Sequence, residues 1–258
     1  MFFVRKIRKR IFVLSGVWVM LLVLTLASLS LLEEALTSHP DSNVSSSLGW
    51  AGYIVSGNYN QQSEITSVGA SWTVPQVNTT TGDGYSSAWV GIGGQIDKTL
   101  IQIGTEHNAQ RGVESYHAWY EMLPDYAIRI ENFTLSPGDR VSASITLIDP
   151  ETNEWNMQII DLTNDRIFNQ NFVYNSTRSS GEWIMERVMV NGKISKLSDF
   201  GSITFNNCWV EAGNTRGVIG NFTHSRVYMT NDQFTTLASA STLNTEGEGF
   251  TVKYSKHS

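Results

Sequence analysis

The chain of 258 residues is 41% hydrophobic and 11% aromatic, enough to bury one full-sized core or two small ones, which excludes a disordered polymer. Its 18 basic and 24 acidic residues give a formal net charge of −6, and five of the basic ones are confined to Arg5-Lys6-Ile7-Arg8-Lys9-Arg10, so the remainder is more acidic still. With no basic patch or stripe left after that cluster, nucleic-acid binding is excluded as a role.

The basic cluster runs into residues 11–32, which carry no charge and are long enough for a helix to cross the roughly 30 Å hydrocarbon core of a bilayer. Residues 1–32 therefore read as a signal peptide or a signal-anchor transmembrane helix. The run is longer than the about 7 to 15 residues of a typical signal h-region, which favours the anchor. Positive charge ahead of the apolar run holds the N-terminus inside and sends the rest out, so an extracellular or cell-surface location is expected. Five Asn-x-Ser/Thr sequons, at Asn43, Asn78, Asn132, Asn175 and Asn221, suit an exported chain. Residues 33–47 are polar, end in Ser45-Ser46-Ser47 and read as a stalk, leaving residues 48–258 as one domain expected to act as a monomer.

Beyond the stalk no long window has a helical period, whereas short runs rich in Val, Ile, Thr, Tyr, Phe and Trp recur between turn signals. Strands are expected in chain order over residues 67–74, 87–92, 99–103, 116–122, 140–148, 155–161, 183–190 and 201–205. Pro137-Gly138-Asp139 and Asn153-Glu154 fall between such runs, as turns should. Strands this numerous and this short predict an all-β fold, an antiparallel sandwich or barrel. The single Cys208 excludes an intramolecular disulfide and reads as a small buried hydrophobe.

Several chemistries are absent from the letters: there is no His-Glu-x-x-His zinc motif, no Gly-x-Ser-x-Gly elbow, no phosphate-cradling Gly-x-x-x-x-Gly-Lys and no Asp-Thr/Ser-Gly triplet. The five histidines lack tight metal-ligand spacing, although His107 and His117 flank a turn across which they could meet; no metal and no cofactor are expected. What stands out is polarity inside apolar strands. Gln102 interrupts Leu100-Ile101-Gln102-Ile103-Gly104, where the plain reading is a glutamine bonded to a neighbouring strand. In Glu182-Trp183-Ile184-Met185-Glu186 the period of two puts Glu182, Ile184 and Glu186 on one face, and a carboxylate beside aliphatics is expensive unless used or paired. Likewise His117, Trp119 and Glu121 share a face that reads more as a groove floor than as a core.

Taken in order, Ser87-Ala88-Trp89-Val90-Gly91-Ile92-Gly93-Gly94, Leu100-Ile101-Gln102-Ile103-Gly104 and Tyr116-His117-Ala118-Trp119-Tyr120-Glu121 resemble the signature of the glutamic peptidases, the eqolisins. Trp50-Ala51-Gly52-Tyr53, Trp72-Thr73-Val74-Pro75, Ser136-Pro137-Gly138-Asp139, Glu182-Trp183-Ile184-Met185-Glu186 and Asp199-Phe200-Gly201 continue the resemblance. It implies two large antiparallel sheets packed as a bent sandwich of the concanavalin-like or jelly-roll kind, with a substrate groove across one sheet. It also implies an acid endopeptidase acting on proteins or peptides through a catalytic Gln102–Glu186 dyad and a water nucleophile, with Trp89, Glu106, His117, Trp119 and Glu121 lining the groove. The chain departs from the fungal members in lacking disulfides and in carrying Glu106 and His117 where those have aspartates. Two other readings of the same residues stay open: a carbohydrate-binding β-sandwich module, and a glycosidase using Glu121 and Glu186 as its carboxylate pair.

Overall fold

β-Branched and aromatic residues alternating with small or polar ones fold here into strands, and the computed structural model describes them over residues 43–56, 64–96, 98–190 and 192–255. The basic cluster, the apolar segment 11–32 and the stalk up to residue 42 lie outside the described residues. In chain order the strands are β1 (Asn43–Ser47), β2 (Trp50–Ser56), β3 (Ile65–Thr73), β4 (Gly84–Gly93), β5 (Leu100–Gln110), β6 (Val113–Met122), β7 (Ile128–Thr134), β8 (Arg140–Asp149) and β9 (Glu154–Asp161). They continue as β10 (Arg166–Val173), β11 (Ser180–Glu186), β12 (Met189–Val190), β13 (Lys193–Ile194), β14 (Ser202–Ala212), β15 (Thr215–Val218), β16 (His224–Thr230), β17 (Thr236–Ala240) and β18 (Phe250–Tyr254). Every strand expected from the sequence is present, though the run 183–190 stops at Glu186 and resumes as the short β12–β13 hairpin. Residues 45–47, the serines of the expected stalk, pair in β1 with β16, a parallel pair in a fold whose other named strands pair antiparallel.

Hydrogen bonding runs unbroken through β10-β9-β8-β3-β14-β18-β17-β16-β2-β11-β4-β5-β6-β7. The path doubles back through β17, so that β3 and β8 lie over β4, β5 and β11, and β10 comes against β7. The result is two antiparallel layers joined at one side and nearly closed at the other. At the closing side Tyr120 of β6 stacks on Phe168 of β10, with ring centroids 5.4 Å apart, and meets Phe172 at 4.8 Å.

The layers are cemented by three large indoles, each with its N–H satisfied. Trp72, Trp155 and Trp183 are fully buried, and their indole N–H groups donate to Thr105 Oγ1 at 3.0 Å, the Tyr174 carbonyl at 2.8 Å and the Gly69 carbonyl at 3.0 Å. Cys208 is buried among them, and burial pushes its thiol up, away from the reactive thiolate.

His107 belongs to this core. Its Nε2 sits 2.8 Å from Thr105 Oγ1, its ring meets Tyr116 with centroids 6.3 Å apart, and Nδ1 has no partner. Burial holds the imidazole neutral, lowering its pKa to about 3. The unfolded chain therefore takes up a proton near pH 6.5 that the folded one refuses until about 3. Stability from this residue is complete above the unfolded value and is lost as pH falls across that window, by about 1.4 kcal/mol per unit. We expect urea midpoints of His107→Gln to decline less steeply between about pH 6 and 3 than those of the parent; parallel curves would assign the acid lability elsewhere.

Candidate active site

The register of four neighbouring strands lays the polar residues of the groove face out in rows. Across β11, β4, β5 and β6 one row reads Glu182, Gly91, Gln102, Glu121; the next Ile184, Trp89, Gly104, Trp119; the third Glu186, Ser87, Glu106, His117. Because side chains alternate, all twelve positions project from one face, while Trp183, Met185, Ile101, Ile103 and Ala118 between them enter the main core. All seven residues that the sequence nominates therefore lie on this face. His107 does not: it pairs with Tyr116, one position off the row of His117, so the two histidines point to opposite faces and do not meet. Among the described residues no cluster of His, Cys, Asp or Glu is arranged to hold a metal.

The middle row is a wall. Trp89, Trp119 and Ile184 form a second apolar cluster with Ile54, Leu100 and Val227, separate from the main core. Two glycines accommodate Trp89: a Cβ on Gly91 would lie 2.8 Å from Cζ3 of the indole, and one on Gly104 would run into the facing strand, 2.6 Å from Trp89 Cβ and 2.2 Å from the Ala88 carbonyl oxygen. The ring thus lies lengthwise across the rows, its six-membered edge over Gly91 and its N–H reaching Glu186. Trp119 is fixed by donating its N–H to Ser87 Oγ at 2.9 Å, and that hydroxyl donates in turn to the Thr105 carbonyl at 3.1 Å.

Glu186 is held at both oxygens by indoles. Trp89 Nε1 donates to Oε2 at 2.7 Å and Trp50 Nε1, from the facing position of β2, donates to Oε1 at 3.2 Å. The two rings meet edge to face with centroids 5.2 Å apart. Burial is the largest influence on this carboxyl and outweighs both donors; with added repulsion from Glu121 and then Glu106 it raises the pKa to about 7. A carboxyl poised there can take and return a proton near neutrality.

Gln102 is only 4% exposed, and its Nε2 donates to Glu121 Oε2, across the β5–β6 pair. That bond fixes the amide's orientation and leaves its oxygen, Oε1, buried without a partner. Burial also raises Glu121 and Glu106, although Gln102 and the Ala127 amide counteract it at Glu121 and Asn108 at Glu106. His117 is pushed down, mainly by partial burial and secondly by the Arg129 charge. Among the described residues Gln102 and Glu186 share no direct hydrogen bond, since the Trp89 row lies between theirs; the charge of Glu121, Gln102's partner, nevertheless reaches Glu186.

Trp50 is a contact of Glu186 that residue-by-residue reading left out of the candidate site. Its signal was its place at the head of a strand of the resembling set, facing Glu186 once β2 and β11 pair. Glu182 is fully buried at the end of the Gln102 row. Glu121 holds Gln102 rather than facing Glu186 across an open gap, which disfavours the glycosidase reading.

Comparison with known proteins bears on the same arrangement. The model of the Peptidase A4 family matches residues 49–254. Aspergillopepsin-2 of Aspergillus niger is 28% identical over 205 residues, 70% of this chain and 70% of that protein, and scytalidopepsin B of Scytalidium lignicola is 28% identical over 142 residues, 53% and 50% of the two. Among solved structures, scytalido-glutamic peptidase with a transition-state analogue inhibitor superposes with a TM-score of 0.66 at 20% identity, over 80% of this chain and 98% of that one. Aspergilloglutamic peptidase from Aspergillus niger does so with 0.60 at 27% identity, over 67% and 99%. With the family matched from the head of β2 to the end of β18, and the groove built on the strands it spans, the chain belongs to the Peptidase A4 family and is an acid endopeptidase of the glutamic type.

Proposed function

We propose that the chain hydrolyses peptide bonds with a water molecule held and activated by Gln102 and Glu186. The observation that carries this reading is the pairing of a buried amide, fixed by Glu121 with its oxygen unsatisfied, with a carboxyl tuned to about 7 on the same face. Glu186 takes the water's proton, the oxygen attacks the scissile carbonyl carbon, and the same carboxyl delivers the proton to the leaving nitrogen. Gln102 Oε1 accepts a hydrogen bond from the water, and the N–H not used on Glu121 donates to the oxygen that becomes negative. Trp89, Glu106, His117, Trp119 and Glu121 line or support the groove.

The pH response follows from one set of coupled carboxyls. Repulsion from Glu121 and Glu106 adds to burial in raising Glu186, so loss of its ionised form should limit activity as pH falls. Trp89→Phe removes a donor that lowers the Glu186 pKa. The acidic limb of kcat/KM against pH is therefore expected to move upward, by about half a unit or more, as for loss of a hydrogen bond to a charged group. An unmoved limb, with activity retained, would mean that Glu186 is not the titrating base.

We further propose that residues 1–32 form the exporting signal or anchor helix, with the domain outside the cell and working as a monomer on protein substrates. All five sequon asparagines among the described residues are exposed, as glycosylation of an exported chain requires.

A further inference from the structure

The groove sheet ends at β7, and there it carries a charge of the opposite sign to the rest of the site. Arg129 pairs with Trp119, so its side chain projects from the groove face at the sheet's outer edge. It is exposed and, among the described residues, makes no ion pair or side-chain hydrogen bond, not even with the exposed Glu131 two positions along. Its field nonetheless reaches both Glu106 and His117 in the third row. Burial drives Glu106, Glu121 and Glu186 toward their neutral forms, whereas a guanidinium remains charged at every working pH. The charge that β7 presents to the third row is therefore that of Arg129.

We infer that Arg129 sets the charge preference of the groove, favouring a substrate that places a carboxylate side chain against β7. The ligand chemistry is an aspartate or glutamate of the peptide on one side of the scissile bond, with His117 as the second group facing it. A long, exposed, unpaired cation beside the path of an extended peptide gains a partner at little cost in desolvation, and a lysine in the same place is repelled. The inference rests on the groove over Gln102 and Glu186 being where substrate binds.

The test uses peptides identical except for Glu, Gln or Lys at successive positions around the scissile bond, at about pH 5.5, where glutamate is ionised. At one position the parent should prefer Glu over Lys by about fivefold or more in kcat/KM at low salt, and the preference should shrink in about 0.5 M salt. Arg129→Gln should level the ratio and Arg129→Glu should reverse it. Because each ratio is taken within one protein, partial misfolding of a variant cancels. A Glu/Lys ratio in Arg129→Glu equal to the parent's at every position overturns the inference. Glu186→Gln is run alongside: continued cleavage by it defeats the dyad reading, whereas its inactivity together with an unchanged Arg129→Glu ratio defeats only the role of Arg129.

Discussion

Glu186→Gln should leave a folded protein whose kcat on a peptide substrate is lower by about 10³-fold or more, with KM little changed. The substitution keeps size and shape, so one indole N–H still finds an oxygen, but the group that accepts and returns the proton is gone, and general acid–base catalysis is worth about 10² to 10⁴. A second readout guards against misreading a folding defect. The folded pKa of Glu186 lies at about 7 against 4.5 for an ordinary glutamate, so the native protein holds a proton that the unfolded chain releases. Stability from that proton is present in full below about 4.5 and declines as pH rises to about 7, the reverse of the His107 window. The Gln variant has no proton to lose, and its unfolding free energy should be flatter over that range. Activity within tenfold of the parent in a folded Glu186→Gln protein would remove Glu186 from the chemistry.

Gln102→Ala should cost about 10² to 10³ in kcat, the usual effect of deleting one oxyanion donor, and somewhat more if the water also loses its anchor. Its structural penalty should be modest, because the truncation removes a buried unsatisfied oxygen together with the amide. The Glu121 carboxyl, deprived of the amide that lowers its pKa, should titrate at higher pH. Gln102→Glu offers the sharper comparison. A carboxyl there can donate a hydrogen bond only when protonated, and Glu121 beside it opposes its ionisation, so recovery of activity should be confined to lower pH than for the parent. Steady-state kinetics of the three proteins from about pH 3 to 7 make the test; an alanine variant as fast as the parent would reduce Gln102 to the structural glutamine that its strand alone suggests.

Much of the fold was legible because its cause is local. β-Branched and aromatic runs separated by turn residues make strands wherever they occur, and Gly138 and Asn153 adopt the left-handed conformation that the turns Pro137-Gly138-Asp139 and Asn153-Glu154 demand. Strands without a strong apolar alternation, such as β10 with its exposed Asn169, Gln170 and Asn171, escaped because their identity comes from pairing with a neighbour rather than from their own pattern. The period of two was likewise sufficient to put Glu182 and Glu186 on one face of their strand, and His117, Trp119 and Glu121 on one face of theirs; strand pairing is what makes the two faces one.

The proposed Gln102–Glu186 site divides along the same line. Sequence by itself determined that this is an all-β chain whose marked polar residues, Gln102 and Glu186 among them, stand in apolar strands in the order of a glutamic peptidase; residue type and strand period fix both. Tertiary structure alone decided what surrounds them: that Trp50 and Trp89 converge on the two oxygens of Glu186, that Glu121 orients Gln102, that Gly91 leaves room for the Trp89 indole and Gly104 for the close approach of β4, and that Arg129 faces the groove from its edge. The reason is register. Which residue faces which across β2, β11, β4, β5, β6 and β7 depends on how strands up to 136 residues apart in the chain align, and no local pattern carries that alignment.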